Sequence, residues 1–147
     1  TEAAPHDAAE AAARFADVFA DLRAPHLEQK LESFYAPDLW FNDTLATITN
    51  RDDLVRYMLA TGEKVESMDV QILDAFSRGP DVFMRWGMQL EFKAGWRTAR
   101  TDTVGMTHLR FNDDGQVILH QDFWDNAEGI FREVPLVRRA VALETFE

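Results

Sequence analysis

An alternating segment between positions 82 and 92 is the sequence feature that most constrains the fold of this chain. Successive side chains of a β-strand point to opposite faces of a sheet, so a period of two indicates a strand with one buried face. The residues of one face are all apolar: Val82, Met84, Trp86, Met88, Leu90 and Phe92. The segment therefore predicts a long strand that lays a wholly apolar face against other parts of the protein.

Turn residues on both sides of this strand predict a series of antiparallel hairpins. Gly79 and Pro80 precede the strand, Gly95 follows it, and the polar group from Asn112 to Gly115 is typical of a tight hairpin turn. The predicted strands begin at Ser67, continue through 82–92 and 103–111, and end with 116–124.

The first part of the chain has the period of helices. Apolar residues spaced three and four apart predict three amphipathic helices, with buried faces formed by Phe15, Val18, Phe19 and Leu22, by Leu27, Leu31, Phe34 and Tyr35, and by Leu54, Tyr57 and Met58. Asp7 and Asn50 are suitable N-cap residues for the first and third helices. We expect Pro37 to end the second helix and Gly62 to end the third. A strand and its turn, 39–48, lie between these two helices.

The order of these elements predicts the fold class. Helices followed by antiparallel hairpins form an α+β arrangement, in which helices pack on one face of a sheet. A length of 147 residues fits one domain with one core, so we expect a single domain over 1–147. The segment 127–147 has a helical pattern interrupted by Pro135 and is expected to form a helical tail.

Composition excludes several classes of partner and chemistry. A formal net charge of −11 repels the phosphates of nucleic acids and anionic membranes, so we expect neither as a partner. The absence of cysteine excludes disulfides and thiolate chemistry. No Gly-rich nucleotide-binding motif and no His-rich ligand spacing occurs, so we predict no cofactor and no metal. No secretory signal precedes the first helix, which favours a cytoplasmic location.

Three strings of residues resemble those of a known superfamily. They are Phe34-Tyr35-Ala36-Pro37-Asp38 leading to Phe41-Asn42-Asp43, then Thr107-His108-Leu109-Arg110-Phe111-Asn112-Asp113-Asp114-Gly115, and His120-Gln121-Asp122-Phe123-Trp124-Asp125. They are similar to SnoaL-like proteins of the nuclear transport factor 2-like superfamily, which includes ketosteroid isomerase and polyketide cyclases. The resemblance implies a cone-shaped, curved antiparallel sheet wrapped on three N-terminal helices, with a pocket at one end. It also implies a homodimer formed through the outer face of the sheet.

The resemblance suggests where acid/base chemistry would lie. Asp43 is placed like the general base of ketosteroid isomerase, and a carboxylate in an apolar pocket has a raised pKa that suits proton transfer. An alternative is that Asp43 only caps the turn that follows it. His120 and Asp122 lie on one face of the last strand, which the resemblance places toward the pocket. There His120 would act as acid or base with Asp122 as its orienter, unless the histidine is buried for structural reasons.

The remaining candidates are walls of a ligand-binding pocket. Phe41, Trp86, Thr107 and Trp124 would line it, although large aromatic residues more often fill a core. Thr107 occupies the place of the second acid in the oxyanion hole of ketosteroid isomerase and cannot supply an acidic proton. We therefore do not expect steroid isomerisation by that mechanism. His108 is out of phase with Thr107 and is interpreted as structural.

Three functions are compatible with this pattern. The first is a cofactor-free isomerase, cyclase or hydrolase that uses Asp and His acid/base chemistry on a small apolar ligand. The second is a non-catalytic ligand-binding protein, and the third is a dimeric scaffold of the same fold. An enzyme requires Asp43, His120 and Asp122 to converge, whereas a scaffold predicts an interior filled by aromatic side chains.

Overall fold

Side-chain caps begin two of the three helices in the computed structural model, which describes residues 7–125. Helix α1 spans Ala8–Phe19, and the Asp7 carboxylate accepts from the backbone N–H groups of its first turn. Helix α2 spans Leu27–Phe34 and has no side-chain cap. Helix α3 spans Arg51–Lys64, and Asn50 accepts from the N–H of Asp53 at 2.9 Å. Both predicted N-caps are confirmed, since each satisfies donors that the helix leaves unpaired.

Six strands form one curved sheet on which the helices pack. The strands are β1 Tyr35–Asn42, β2 Thr47–Asn50, β3 Val65–Arg78, β4 Asp81–Ala94, β5 Arg97–Phe111 and β6 Val117–Trp124. Their order across the sheet is β2-β1-β6-β5-β4-β3. The sheet is cone-like and unclosed. Three helices packed on this sheet confirm the predicted α+β class.

One pairing differs from the predicted antiparallel sheet. Among the described strands, β1 and β6 run parallel, and Phe41 lies opposite His120. The other neighbouring strands are antiparallel. The parallel pair was not predictable from hairpin signals, because a parallel partner must be reached by a long crossover instead of a tight turn. It places the first and last described strands side by side, between β2 at the edge and β5.

Two boundaries also differ from the prediction. Helix α2 ends at Phe34, and Pro37 lies inside β1. The register of β1 against β6 shifts between Tyr35 and Trp40, the stretch that contains Pro37, and a residue without an N–H can be accommodated there. Strand β5 begins at Arg97 because Gly95, at φ 68°, allows a tight turn directly after β4.

Gly62 was expected to end α3, but it lies buried inside this helix. A Cβ atom at Gly62 would lie 2.2 Å from the carbonyl oxygen of Leu22, a backbone atom of the segment between α1 and α2. Real Cβ atoms do not approach so closely. Glycine is therefore needed here so that the Leu22 backbone can pack directly on α3.

The apolar face of β4 is buried, as its alternation predicts. Val82 and Met84 have no exposed surface, and Trp86 is almost completely buried. Arg14 of α1 reaches across to the other end of the sheet, where it donates to the carbonyl oxygen of Gly115 and lies over the Phe111 ring. No helix within 7–125 is both long and apolar enough to cross a membrane. The predicted helical tail, 127–147, falls outside the described residues.

Candidate functional site

A buried histidine lies at the centre of the inner face of the sheet. His120 of β6 is 1% exposed. Its Nδ1 atom lies 2.7 Å from the Tyr35 hydroxyl, and its Nε2 atom lies 2.7 Å from Oδ1 of Asp122. The parallel pairing of β1 with β6 brings Phe41 against the imidazole, with 4.7 Å between the ring centroids. Both ring nitrogens are thus hydrogen-bonded inside an aromatic environment.

The hydrogen bonds continue from Asp122 to two more of the predicted residues. Thr107 of β5 lies opposite Asp122, and its hydroxyl donates to Asp122 Oδ1 at 2.6 Å. The indole N–H of Trp86 in turn donates to the Thr107 hydroxyl at 2.8 Å. An indole nitrogen can only donate, so it leaves the Thr107 proton available for the carboxylate. We call Tyr35, His120, Asp122, Thr107 and Trp86 the buried relay.

Asp122 is held by only one of its two oxygens. Oδ1 receives both the Thr107 hydroxyl and Nε2 of His120. Among the hydrogen bonds of residues 7–125, none involves Oδ2. The Asp122 side chain is 16% exposed, in contrast to the enclosed histidine beside it. A carboxylate fixed in this way keeps one oxygen free to meet a ligand.

Asp43 lies in the turn between β1 and β2. Its Oδ1 accepts from the N–H groups of Leu45 and Ala46, so it does form the turn that the sequence suggested as an alternative. Its Oδ2 also accepts from the Tyr57 hydroxyl of α3. Thr44 has a φ of 71°, an unfavourable conformation for a β-branched residue. Asp43 therefore shapes a strained turn and orients a phenol at the same time.

Tyr57 connects the two carboxylates. Burial raises the pKa of Tyr57, and the hydrogen bond and charge of Asp43 and the charge of Asp122 raise it further. The phenol therefore stays protonated and acts as a hydrogen-bond donor. Tyr57 is thus bonded to Asp43 and also lies within the electrostatic influence of Asp122.

The predicted wall residues lie beside the relay and fill much of the space near it. Trp124 is half-buried, and its indole N–H donates to the Asp43 carbonyl oxygen at 2.8 Å. The rings of Trp86 and Trp124 lie 6.5 Å apart. Gly105 lies beneath them, and a Cβ atom there would be 2.5 Å from the Trp86 ring. The missing side chain of Gly105 lets the indole lie directly on the sheet.

Two cavities formed by the described residues lie away from the relay. One, of about 40 Å³, is beside Leu22 and Gly62. The other is an open groove of about 350 Å³ on the outer face of the sheet, lined by Asp69, Gln71, Leu73, Gly87, Met88, Gln89, Asp102, Thr103 and Val104. Neither cavity is lined by Asp43, His120 or Asp122. These two cavities of the described residues are therefore separate from the polar candidates.

The outer face of the sheet is unusually apolar. Its exposed large side chains are Leu73, Phe76, Val104, Met106 and Phe123. His108 also lies on this face, where Nε2 is 2.7 Å from Asp81 Oδ1 and the ring stacks on Phe83 at 4.4 Å. His108 and Thr107 point to opposite faces, as their phase along the strand predicts.

The sequence analysis did not identify Tyr35 and Tyr57 as site residues. Each had been assigned only to the buried face of a helix. The chain has 2 tyrosines and 11 phenylalanines, and both tyrosine hydroxyls bond to polar site residues. A buried tyrosine usually needs a partner for its hydroxyl, so this imbalance was a usable signal. Within 7–125, no three His, Asp or Glu side chains are grouped as a metal site would require.

A known protein family matches most of the chain. The model of the SnoaL-like domain family matches residues 12–120. No curated protein matches the chain in sequence.

Solved structures share the fold at low sequence identity. A protein with a ketosteroid isomerase-like fold from Catenulispora acidiphila, in complex with trimethylamine, has a TM-score of 0.72 at 18% identity, over 88% of this chain and 96% of that one. A candidate SnoaL-like polyketide cyclase from Shewanella denitrificans has a TM-score of 0.71 at 19% identity, over 82% and 91%. An LEH-like epoxide hydrolase from M. tuberculosis has a TM-score of 0.67 at 16% identity, over 94% and 95%.

Proposed function

This chain belongs to the SnoaL-like domain family, and from that premise we propose that it is a cofactor-free enzyme that moves a proton on a small, largely apolar substrate. The reaction would be an isomerisation, a cyclisation or a hydrolysis. The observation that carries this proposal is Asp122, which is fixed through one oxygen by two donors while its other oxygen stays free. Structural neighbours named as a candidate cyclase and an epoxide hydrolase support the same range of chemistry.

Asp122 is the proposed general base. Its free Oδ2 would take a proton from an acidic C–H group of the substrate, or from a water molecule that attacks the substrate. The proton would then return to the product, so the carboxylate is regenerated. The donors on Oδ1 hold the carboxylate in one orientation, which favours a proton transfer that depends on short, aligned distances.

The pair formed by Asp43 and Tyr57 is the proposed partner of this base. Tyr57 donates its single hydroxyl proton to Oδ2 of Asp43, and its raised pKa keeps that proton in place. A substrate oxygen that takes this hydrogen bond in place of Asp43 would have its developing negative charge stabilised by the phenol. Asp43 would then be a second carboxylate beside the bound substrate.

His120 is assigned a different task from the one that the sequence suggested. The earlier expectation was an acid or base oriented by Asp122. Both ring nitrogens of His120 are hydrogen-bonded to Tyr35 and Asp122, and the side chain is almost inaccessible. We therefore assign His120 to holding Asp122, so that the roles within the pair are reversed.

The substrate would approach where the network reaches the surface. Asp43, Asp122 and Trp124 are all partly exposed, whereas His120 behind them is enclosed. The half-buried indole of Trp124 provides apolar contact beside the two carboxylates, whereas Phe41 is fully buried behind them. This arrangement suits a small apolar molecule with one polar oxygen or one acidic C–H group.

A screen of small ketones, epoxides and polyketide-like compounds tests the proposal. We expect at least one class to raise the melting temperature of the wild-type protein and to be converted to product. Asp43→Asn should weaken the response, because Asp43 orients Tyr57. A panel in which no compound raises the wild-type melting temperature would count against an enzyme. So would a compound that raises the melting temperature of Asp43→Asn as much as that of the wild type.

A non-catalytic scaffold is the second candidate, because the outer face of the sheet carries exposed apolar residues and a groove of about 350 Å³. A surface of this kind is typical of a protein interface. The same face would form the homodimer that the family resemblance implies. A scaffold would need this interface and would not need the free oxygen of Asp122.

Changing the outer face should separate the two copies of the chain. Val104 lies on the outer face of the sheet and is 63% exposed. A lysine at this position would place an unpaired charge inside the interface. We expect Val104→Lys to halve the molar mass measured by light scattering after gel filtration. The matched control is Trp96→Lys, since Trp96 is 95% exposed at the tip of the hairpin between β4 and β5. A wild-type protein that is already monomeric at micromolar concentration would overturn the dimer proposal.

A further inference from the structure

We propose that Tyr35 is a positioning residue that, together with the Asp122 carboxylate, holds His120 in one tautomer and thereby keeps Oδ2 of Asp122 as the reactive oxygen. This inference rests on the proposed function for its catalytic consequence. Its structural part concerns only the direction of the hydrogen bonds in the buried relay, which can be measured separately.

Tyr35 is enclosed at the far end of the relay from Trp86. It has no exposed surface, and its hydroxyl lies 2.7 Å from Nδ1 of His120. The two rings are nearly parallel, with 5.9 Å between their centroids. The backbone of Tyr35 is also fixed, because its carbonyl oxygen accepts from Arg51 at the start of α3. The phenol therefore meets the imidazole in one orientation.

The relay can run in only one direction without leaving a buried group unpaired. Trp86 donates to Thr107, and Thr107 donates to Oδ1 of Asp122. A carboxylate only accepts, so the proton of the bond to His120 is on Nε2. In neutral imidazole, Nδ1 is then an acceptor, and the Tyr35 hydroxyl donates to it.

The opposite tautomer would create two unfavourable contacts. A proton on Nδ1 would point at the Tyr35 oxygen, and the Tyr35 proton would have no acceptor among the described residues. The bare Nε2 atom would then face the carboxylate of Asp122, lone pair against lone pair. Burial and the Asp122 charge both raise the pKa of Tyr35, which keeps the phenol protonated as the relay requires.

The consequence of this directionality is a carboxylate with two unequal oxygens. Oδ1 is occupied by donors from His120 and Thr107. Oδ2 keeps its lone pairs for the substrate. Tyr35 never touches the substrate in this arrangement and acts only through His120.

The nitrogen resonances of His120 test the inference directly. In protein labelled with ¹⁵N in the histidine rings, a two-bond ¹⁵N–¹H correlation distinguishes a protonated nitrogen from an unprotonated one. The protein has 4 histidines, and the spectrum of His108→Gln helps assign the His120 signals. We expect a protonated Nε2 and an unprotonated Nδ1 in the wild type.

Tyr35→Phe removes the donor while keeping the ring. We expect its Nδ1 resonance to move and the second tautomer to become populated. With a substrate from the screen, kcat should fall about tenfold, the size of one hydrogen bond's effect, with little change in KM. The control is Phe34→Leu, which removes buried packing next to Tyr35 without touching the relay. It should leave the His120 resonances as they are in the wild type.

The outcomes separate this inference from the proposed function. A wild-type protein with its proton on Nδ1, or a Tyr35→Phe variant with unchanged nitrogen resonances, would overturn the inference. An unchanged kcat in Tyr35→Phe, despite a changed tautomer, would also overturn it as a statement about catalysis. If no compound is turned over, the proposed function fails, while the nitrogen resonances still decide whether Tyr35 sets the tautomer.

Discussion

Asp122→Asn should lower turnover of any substrate found by the screen by about 10²- to 10⁴-fold, the usual contribution of a general base. The geometry makes this substitution specific. The asparagine carbonyl oxygen can replace Oδ1 and still accept from Thr107 and His120, so only the free oxygen is lost. We therefore expect the free energy of unfolding to change by less than about 1 kcal/mol, because no buried hydrogen bond is broken.

Asp102→Asn is the matched control for this measurement. Asp102 lies on the same sheet but on its outer face, in the lining of the groove. The kcat of Asp122→Asn, measured by steady-state kinetics, should be lower than that of Asp102→Asn by the whole predicted factor of about 10²- to 10⁴-fold. If Asp122→Asn retains wild-type kcat, or if Asp102→Asn loses as much, Asp122 is not the base. Asp43 would then be the remaining carboxylate at the site.

Gly62→Ala should destabilise the protein by about 2 kcal/mol, although alanine is the better helix former by about 1 kcal/mol. The new methyl group would need the position occupied by the Leu22 carbonyl oxygen, 2.2 Å away. A backbone atom cannot rotate aside as a side chain can, so the segment after α1 must move. Urea unfolding at equilibrium measures the loss as a lower midpoint at unchanged m-value.

Glu63→Ala is the control for the change at Gly62. Glu63 is the next residue of α3 and is exposed, so its substitution should change stability by no more than about 0.5 kcal/mol. If Gly62→Ala were as stable as the control, the inference that the Leu22 backbone leaves no room for a side chain at position 62 would be wrong.

Local patterns predicted most of the elements, because their causes are local. The N-caps Asp7 and Asn50 and the alternation in β4 depend only on residues close in sequence, and all are found in the structure. The prediction for Gly62 was wrong because glycine is required there by contact with another segment, the backbone at Leu22. A glycine that ends a helix and a glycine that admits a neighbouring backbone look the same in one sequence.

The candidate site was predictable as a set of residues but not as a network. The shared face of His120 and Asp122 follows from strand periodicity, and the structure joins them directly. The partner of His120, Tyr35 of β1, lies 85 residues away along the chain, and Tyr57 of α3 bonds to Asp43. Which hydroxyl meets which acceptor depends on register between distant strands, which periodicity does not specify. For this reason the sequence predicted the His-Asp pair with His120 as acid or base and Asp122 as its orienter, the reverse of the roles that we propose from the geometry.

The parallel pairing of β1 with β6 has a consequence for how this protein acquires its structure. Asn42 and Gln121 bond across a separation of 79 residues, and the same pairing brings Phe41 to His120. Contacts of such high contact order form slowly, since the entropy of closing a long loop is lost before the contacts form. The hairpins β3 to β5 can form from local contacts, whereas the relay must wait for β6 to dock beside β1. Any partly folded intermediate that has only these hairpins would therefore lack the site.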